Sequence, residues 1–191
     1  PSRAQRHRDR GIKGILMRLC RRNLRQKMSK AGAVLIALLT TGMAEGGAQK
    51  QDLWKFISGM SVSLSSLSVT SLSNAPLSFK ITRQNEYINF YNADDFKLDD
   101  GTSITEIGLR LSKDSGDMAP LLNFSPSGQC ITLDTVKMHF PQLVLTDYPQ
   151  GRSENEVTSY TAPKDSNGQK VSFSFTVKNP DCLGSVVISA E

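Results

Sequence analysis

Leu53, Phe56, Ile57 and Met60 fall at i, i+3, i+4 and i+7, the spacing that sets side chains on one face of an α-helix. Asp52 stands where a cap belongs and Gly59 where a helix can stop. The pattern predicts a short helix ending near 59. Trp54 falls off the apolar stripe and reads as packing.

Beyond 60 the period changes. Val62, Leu64, Leu67, Val69 and Leu72 are interspersed with serines, with a slip at Ser65-Ser66. Near-alternation predicts a strand over 61–73 with a wet serine face and a bulge at the slip. From 77 onward alternation recurs in short runs. Leu77, Phe79 and Ile81 alternate with Ser78 and Lys80, and a turn is expected at Gln84-Asn85. Tyr87, Ile88, Phe90 and Tyr91 are apolar on both faces of the next run, as in a central or covered strand. Ile107, Leu109 and Leu111 form another face after the Asp100-Gly101 turn, and Ser125 to Gly128 reads as a further turn.

Ile131, Leu133, Val136, Met138 and Phe140 read as one long strand with a slip, ended by Pro141. On that reading Val136, Met138 and Phe140 face inward, and Lys137 and His139 outward. Leu143 and Leu145 precede a polar loop at 147–155. Asp165 to Gly168 forms a turn. Val171, Phe173, Phe175 and Val177 then alternate with Ser172, Ser174 and Thr176, the most regular strand in the chain. A turn at Asn179 to Asp181 leads to a last strand over 183–189. Eight or nine short strands with frequent turns, and little helix, predict a mainly β single domain. The expected form is an antiparallel sandwich or bent barrel with a short N-terminal helix.

Charge divides this picture. The chain of 191 residues carries a formal +5, but residues 1–30 hold eleven Lys or Arg against the single acid Asp9. That segment is +10, so the remainder is −5. An uncharged run from Ala31 to Leu39 follows the basic head, and small residues follow the run. Basic flank, short apolar stretch and small residues are the parts of a secretory leader, with cleavage expected after Ala44 or Ala48. The fourteen residues from Ala31 to Ala44 would span roughly 21 Å as a helix, short of a bilayer core of about 30 Å. Translation from Met28 or Met17 gives a shorter or longer leader. The division expected is 1–27 as basic head or upstream sequence, 28–48 as signal peptide and 49–191 as exported β domain. The product is periplasmic or secreted, without a stable membrane span after processing. No aromatic side chain interleaves with the head's arginines, so nucleic acid is not expected as a partner.

Of three cysteines, Cys20 precedes the leader's apolar run, whereas Cys130 and Cys182 flank body strands. Two body cysteines in an exported protein predict one disulfide.

Candidate chemistry is sparse. His139 is the only histidine after the head, too few for an imidazole metal site, and no metal or cofactor is expected. Ser58-Gly59 and Ser115-Gly116 lack the flanking pattern of a nucleophile elbow. The acids Asp94-Asp95 and Asp99-Asp100 read as turn residues. Placing Gly101 at the glycine position of a calcium loop puts Phe96, Leu98 and Ile107 at ligand positions. The loop at 147–155 is more informative. It holds Tyr148 and Arg152, residue types enriched at binding hot spots, on a β scaffold. Tyr87 and Tyr91 are a second candidate surface. The expectation is a binding protein of inhibitor or immunity type that acts on another protein, a basic one given the acidic body. The rivals are a surface or adhesive subunit that donates its Ser-rich strand, and a hydrolase using dispersed carboxylates.

Overall fold

The computed structural model describes residues 50–113 and 118–190. The basic head, the apolar run, both cleavage positions and Cys20 lie outside the described residues.

The described residues fold as a helix followed by nine strands, with a second helix between the fifth and sixth. Helix α1 spans Leu53–Leu64, and α2 spans Leu133–His139. The strands are β1 Phe79–Gln84, β2 Ile88–Ala93, β3 Phe96–Lys97, β4 Ser103–Ser112, β5 Leu121–Ser127, β6 Val144–Asp147, β7 Val157–Thr161, β8 Gln169–Thr176 and β9 Asn179–Ala190. Every pairing is antiparallel. The order is β1-β2-β4-β5-β9-β8-β7-β6, with β3 on β4. The mainly β antiparallel class expected from alternation is what forms. It resolves as one continuous sheet whose end strands are β1 and β6.

The inner face carries Tyr91 from β2, Ile104, Ile107, Leu109 and Leu111 from β4, Leu122 and Phe124 from β5, Val171, Phe173 and Phe175 from β8, and Val186 and Ile188 from β9, all buried. Helix α1 covers this face with Leu53, Phe56, Ile57, Met60 and Leu64. Phe56 meets Phe96 and Phe124 edge-on, at 5.4 and 5.2 Å between ring centroids. Such aromatic contacts add to the area they bury. The start of α1 is held from within and from afar. Asp52 accepts from Lys55 N, and Asp99 and Asp100 accept from Gln51 N and Leu53 N. Asp100, which also holds its own turn through Thr102 N, therefore helps cap the helix, and Asp99 holds the residue before the cap.

The Ser-rich segment is not a strand. α1 runs on to Leu64, and bends and a short 3₁₀ turn at Leu72–Asn74 follow. Ile57, Met60 and Leu64 keep the helical spacing, so the apolar face continues past Gly59, and Gly59 does not stop the helix. Ser63 donates to Gly59 O and Ser65 to Val62 O, the local back-bonding that lets serine occupy a helix end.

The long strand expected across 131–140 is instead α2. Thr132 caps it by accepting from Thr135 N, and Asp134 and Lys137 sit at the ends that suit the helix dipole. Val136 is buried, but Met138 is 74 % exposed, because positions two apart on a helix do not share a face. His139 stacks on Trp54 at 3.9 Å, which accounts for Trp54 as packing.

Smaller corrections concern strand ends. Val177 lies in the turn between β8 and β9 and is exposed, so it does not extend the buried face of β8. β9 begins at Asn179, where a turn was expected. β5 continues through Pro126, which pairs with Ile104 of β4. Its pairing with β9 ends at Phe124, so the missing proline N–H costs no ladder bond there. The turn falls at Gly128, φ 91°. β7 has no counterpart among the strands read from the sequence. The turns at Gly101 and Gly168 form as expected, with φ of 91° and 76°, the left-handed region that glycine enters without a Cβ penalty.

Cys130 and Cys182 form the expected disulfide, their Cα atoms 4.9 Å apart. It ties the approach to α2 onto β9, beside a backbone bond from Leu183 N to Ile131 O of 2.8 Å.

Candidate functional site

The loop after β6 is ordered by one carboxylate. Glu156 accepts from Gln150 N at 2.6 Å, Gly151 N at 2.9 Å and Arg152 N at 2.8 Å. Three consecutive amides converge on it because Gly151 takes φ 77°. Desolvation pushes the Glu156 carboxyl up, but the hydrogen bonds from Arg152, Gln150, Gly151 and Ser153 outweigh it, and its pKa lies below the usual value. Asp147 accepts from Tyr148 N. On the far side, Val177 N donates to Glu156 O and Lys178 pairs with Glu154 at 2.7 Å, so the β8–β9 turn braces the loop.

This frame holds Tyr148 outward, 61 % exposed, and leaves Arg152 exposed. Among the described residues the adjoining β6 is an end strand paired only with β7. Val144 and Leu145 on it are exposed too. An end strand with free backbone groups and bare aliphatic side chains is a surface on which another chain can pair.

The second candidate pair separates. Tyr87 is exposed in the β1–β2 turn, but Tyr91 is 5 % exposed and packs in the core. Tyr87 stands in the turn before β2 begins at Ile88, and the strand parity that leaves Phe90 half-buried on the outer face buries Tyr91. Tyr91 is thus not part of a binding surface. Tyr87 and Tyr148 belong to opposite ends of the strand order.

A third surface escaped the sequence reading. Arg83, Phe90 and Arg110 are cross-strand neighbours on the face away from α1. The Arg83 guanidinium lies 4.2 Å from the Phe90 ring centre and that of Arg110 5.8 Å, within cation–π reach. Outward positions of three alternating strands supplied the signal, but only the register shows that they meet.

Of the four clustered acids Asp94, Asp95, Asp99 and Asp100, three have structural partners. Asp94 pairs with Lys80 at 2.8 Å, Asp100 accepts from Leu53 N at the start of α1, and Asp99 from Gln51 N just before it. Ser61 Oγ donates to Asp165 Oδ2 at 2.6 Å. Burial pushes the Asp165 carboxyl up, yet this bond and those from Gln169 and Asn167 leave its pKa lowered. A carboxylate made more acidic is a weak base for a serine nucleophile. Among the described residues, no group of three or more His, Cys, Asp or Glu stands together to hold a metal. No helix of the described residues is long and apolar enough to cross a membrane.

No protein-family model, curated protein or solved structure matches this chain.

Proposed function

We propose that this chain is an exported binding protein that engages another protein through the 147–156 loop and the neighbouring edge of β6. The observation that carries this reading is the Glu156 carboxylate, which holds three successive amides and so fixes the loop bearing Tyr148 and Arg152 before any partner arrives. A recognition loop ordered in advance loses less conformational entropy on binding. Aromatic and arginine anchors beside a free strand edge combine hot-spot residue types with backbone pairing.

Export is supported by the basic head and short apolar run, and the Cys130–Cys182 bond is of the kind that persists in an oxidising compartment. The net −5 carried after residue 30 favours a basic partner, which it would steer on approach. The donated-strand reading loses its support, because the serine segment is helix and turns. The carboxylate hydrolase loses its support because Asp94, Asp99 and Asp100 have structural partners.

The test begins by capturing a partner from periplasmic or secreted fractions, then measuring its affinity for wild type and for Tyr148→Ala/Arg152→Ala. A loss of at least about tenfold with an unchanged melting temperature is expected from two anchor truncations. Unchanged affinity discards the loop as the contact. Cleavage of a glycan or ester by the pure protein would discard the binding class.

A further inference from the structure

We propose that the groove between α1, the end of α2 and the β7–β8 connection is a binding site for a small molecule with an apolar body and one N–H donor. The groove holds about 440 Å³, within the range of roughly 300–1,000 Å³ common for small-ligand sites. Ile57, Val62, Phe140, Pro141, Ala162 and Val171 supply apolar walls. None of residues 147–156 lines it, so it is separate from the loop surface and does not rest on that reading.

The donor requirement comes from Gln169. This residue lines the groove, is 2 % exposed, and its Oε1 has no hydrogen-bond partner. Buried polar atoms are nearly always satisfied, and an orphaned acceptor calls for an explanation. A ligand N–H supplies the missing bond once the carboxamide turns about its last torsion to present the oxygen to the groove. The backbone around it is fixed. Asp165 accepts from Gln169 N at 2.9 Å and Asn167 N at 2.8 Å through Oδ1, and from Ser61 through Oδ2. Ser61 belongs to α1, so this carboxylate ties the two walls together across the groove.

The same bonds argue against a cationic ligand at Asp165. Both oxygens of Asp165 are already engaged, so the carboxylate is not free to receive a cation. Ser58, His139, Gln142, Lys164 and Asn167 also line the groove, but of its lining residues Gln169 is the one with a buried acceptor lacking a partner. The concave shape and size favour a small molecule over a flat protein contact.

Indole is a suitable probe, and benzofuran has the same shape with oxygen in place of the N–H. In ¹⁵N spectra of the full chain, indole is expected to move the amides of Ile57, Ala162 and Gln169. It should bind at least about fivefold tighter than benzofuran, the effect of one net hydrogen bond. Gln169→Met keeps length but removes the acceptor, and should bring indole down to the affinity of benzofuran. Should that variant fail to fold, Val62→Trp, at an exposed position of the wall, is expected to abolish both sets of shifts. Equal affinity of the two probes for wild type, shifts confined to other surfaces, or no shifts from either probe would overturn the site.

Discussion

Leu53 N lies 2.9 Å from Asp100 Oδ2, 47 positions along the chain, so a turn between two strands supplies a cap for the first helix. Gln51 and Asp99 are joined in both directions beside it, through Gln51 N to Asp99 Oδ2 and Asp99 N to Gln51 O. The contact fixes where α1 begins on the sheet, and with it the position of Phe56 and Ile57 in the core.

That cap makes stability depend on acid. Burial raises the Asp100 carboxyl, but the bonds from Thr102 and Leu53 outweigh it, leaving the folded pKa below 3.8. The unfolded chain therefore takes up the proton first. Stability from this group is full above the unfolded value and is lost as pH falls through the folded one. Asp165 has the same sign. Asp100→Asn should lower stability by about 0.5–1 kcal/mol at neutral pH. Its deficit should shrink as the pH falls below about 3.8, when wild type loses the same charge. Urea midpoints across that range measure both. A deficit independent of pH would show that the carboxylate charge plays no part.

Phe173 is fully buried, with its ring 4.8 Å from Phe140. Phe173→Ala should cost about 3–5 kcal/mol, the range for a buried aromatic replaced by a cavity. Val177, four positions on and of matching parity, sits in the exposed turn. Val177→Ala should stay within about 0.5 kcal/mol. Chemical denaturation of both variants distinguishes the strand's true end from the one that alternation implies.

The contrast shows where the sequence was legible. Alternation located the buried faces of β4 and β8, because each is long and one face alone meets the core. The helix at 53 was legible from its stripe and Asp52. Period two failed at Val136, Met138 and Phe140, because Leu133, Val136 and Phe140 also fit helical spacing and the Thr132 cap decides between them. β7 was hidden because all five of its positions are only partly buried. At the site, Tyr148 and Arg152 were legible as exposed types in a polar loop. Glu156 was not, since nothing local shows that three amides will converge on it. Nor was the groove, whose Ser61, Phe140, Asp165 and Gln169 come from separate segments.

The disulfide closes a loop of 52 positions. Limiting the unfolded chain by a link of that length stabilises by about 4 kcal/mol in the chain-entropy model. Cys130→Ser/Cys182→Ser should lose an amount of that order, and reductant should destabilise wild type but leave the double variant unchanged. Urea titrations with and without reductant make the comparison. Equal stability of the two proteins in oxidising buffer would mean that the bond does not form.

The loop's order should depend on Glu156 alone more than on the sheet beneath it. Gln150, Gly151 and Arg152 present their amides to its two oxygens, with Oε2 taking two and Oε1 one. No neighbouring carboxylate shares the task in these bonds. Glu156 is only part-buried and its bonds run to the loop, so its loss should have little effect on global stability. Local opening is a different quantity, set by the bonds a segment makes itself. Glu156→Ala should therefore leave the melting temperature nearly unchanged while speeding hydrogen exchange at those three amides by about tenfold or more. Amides of β8 should keep their wild-type protection. If partner binding depends on the preformed loop, the same variant should weaken it with Tyr148 and Arg152 still present, through the entropy of ordering the loop. Unchanged exchange at 150–152 would mean that the β8–β9 brace, through Val177 and Lys178, holds the loop without the carboxylate.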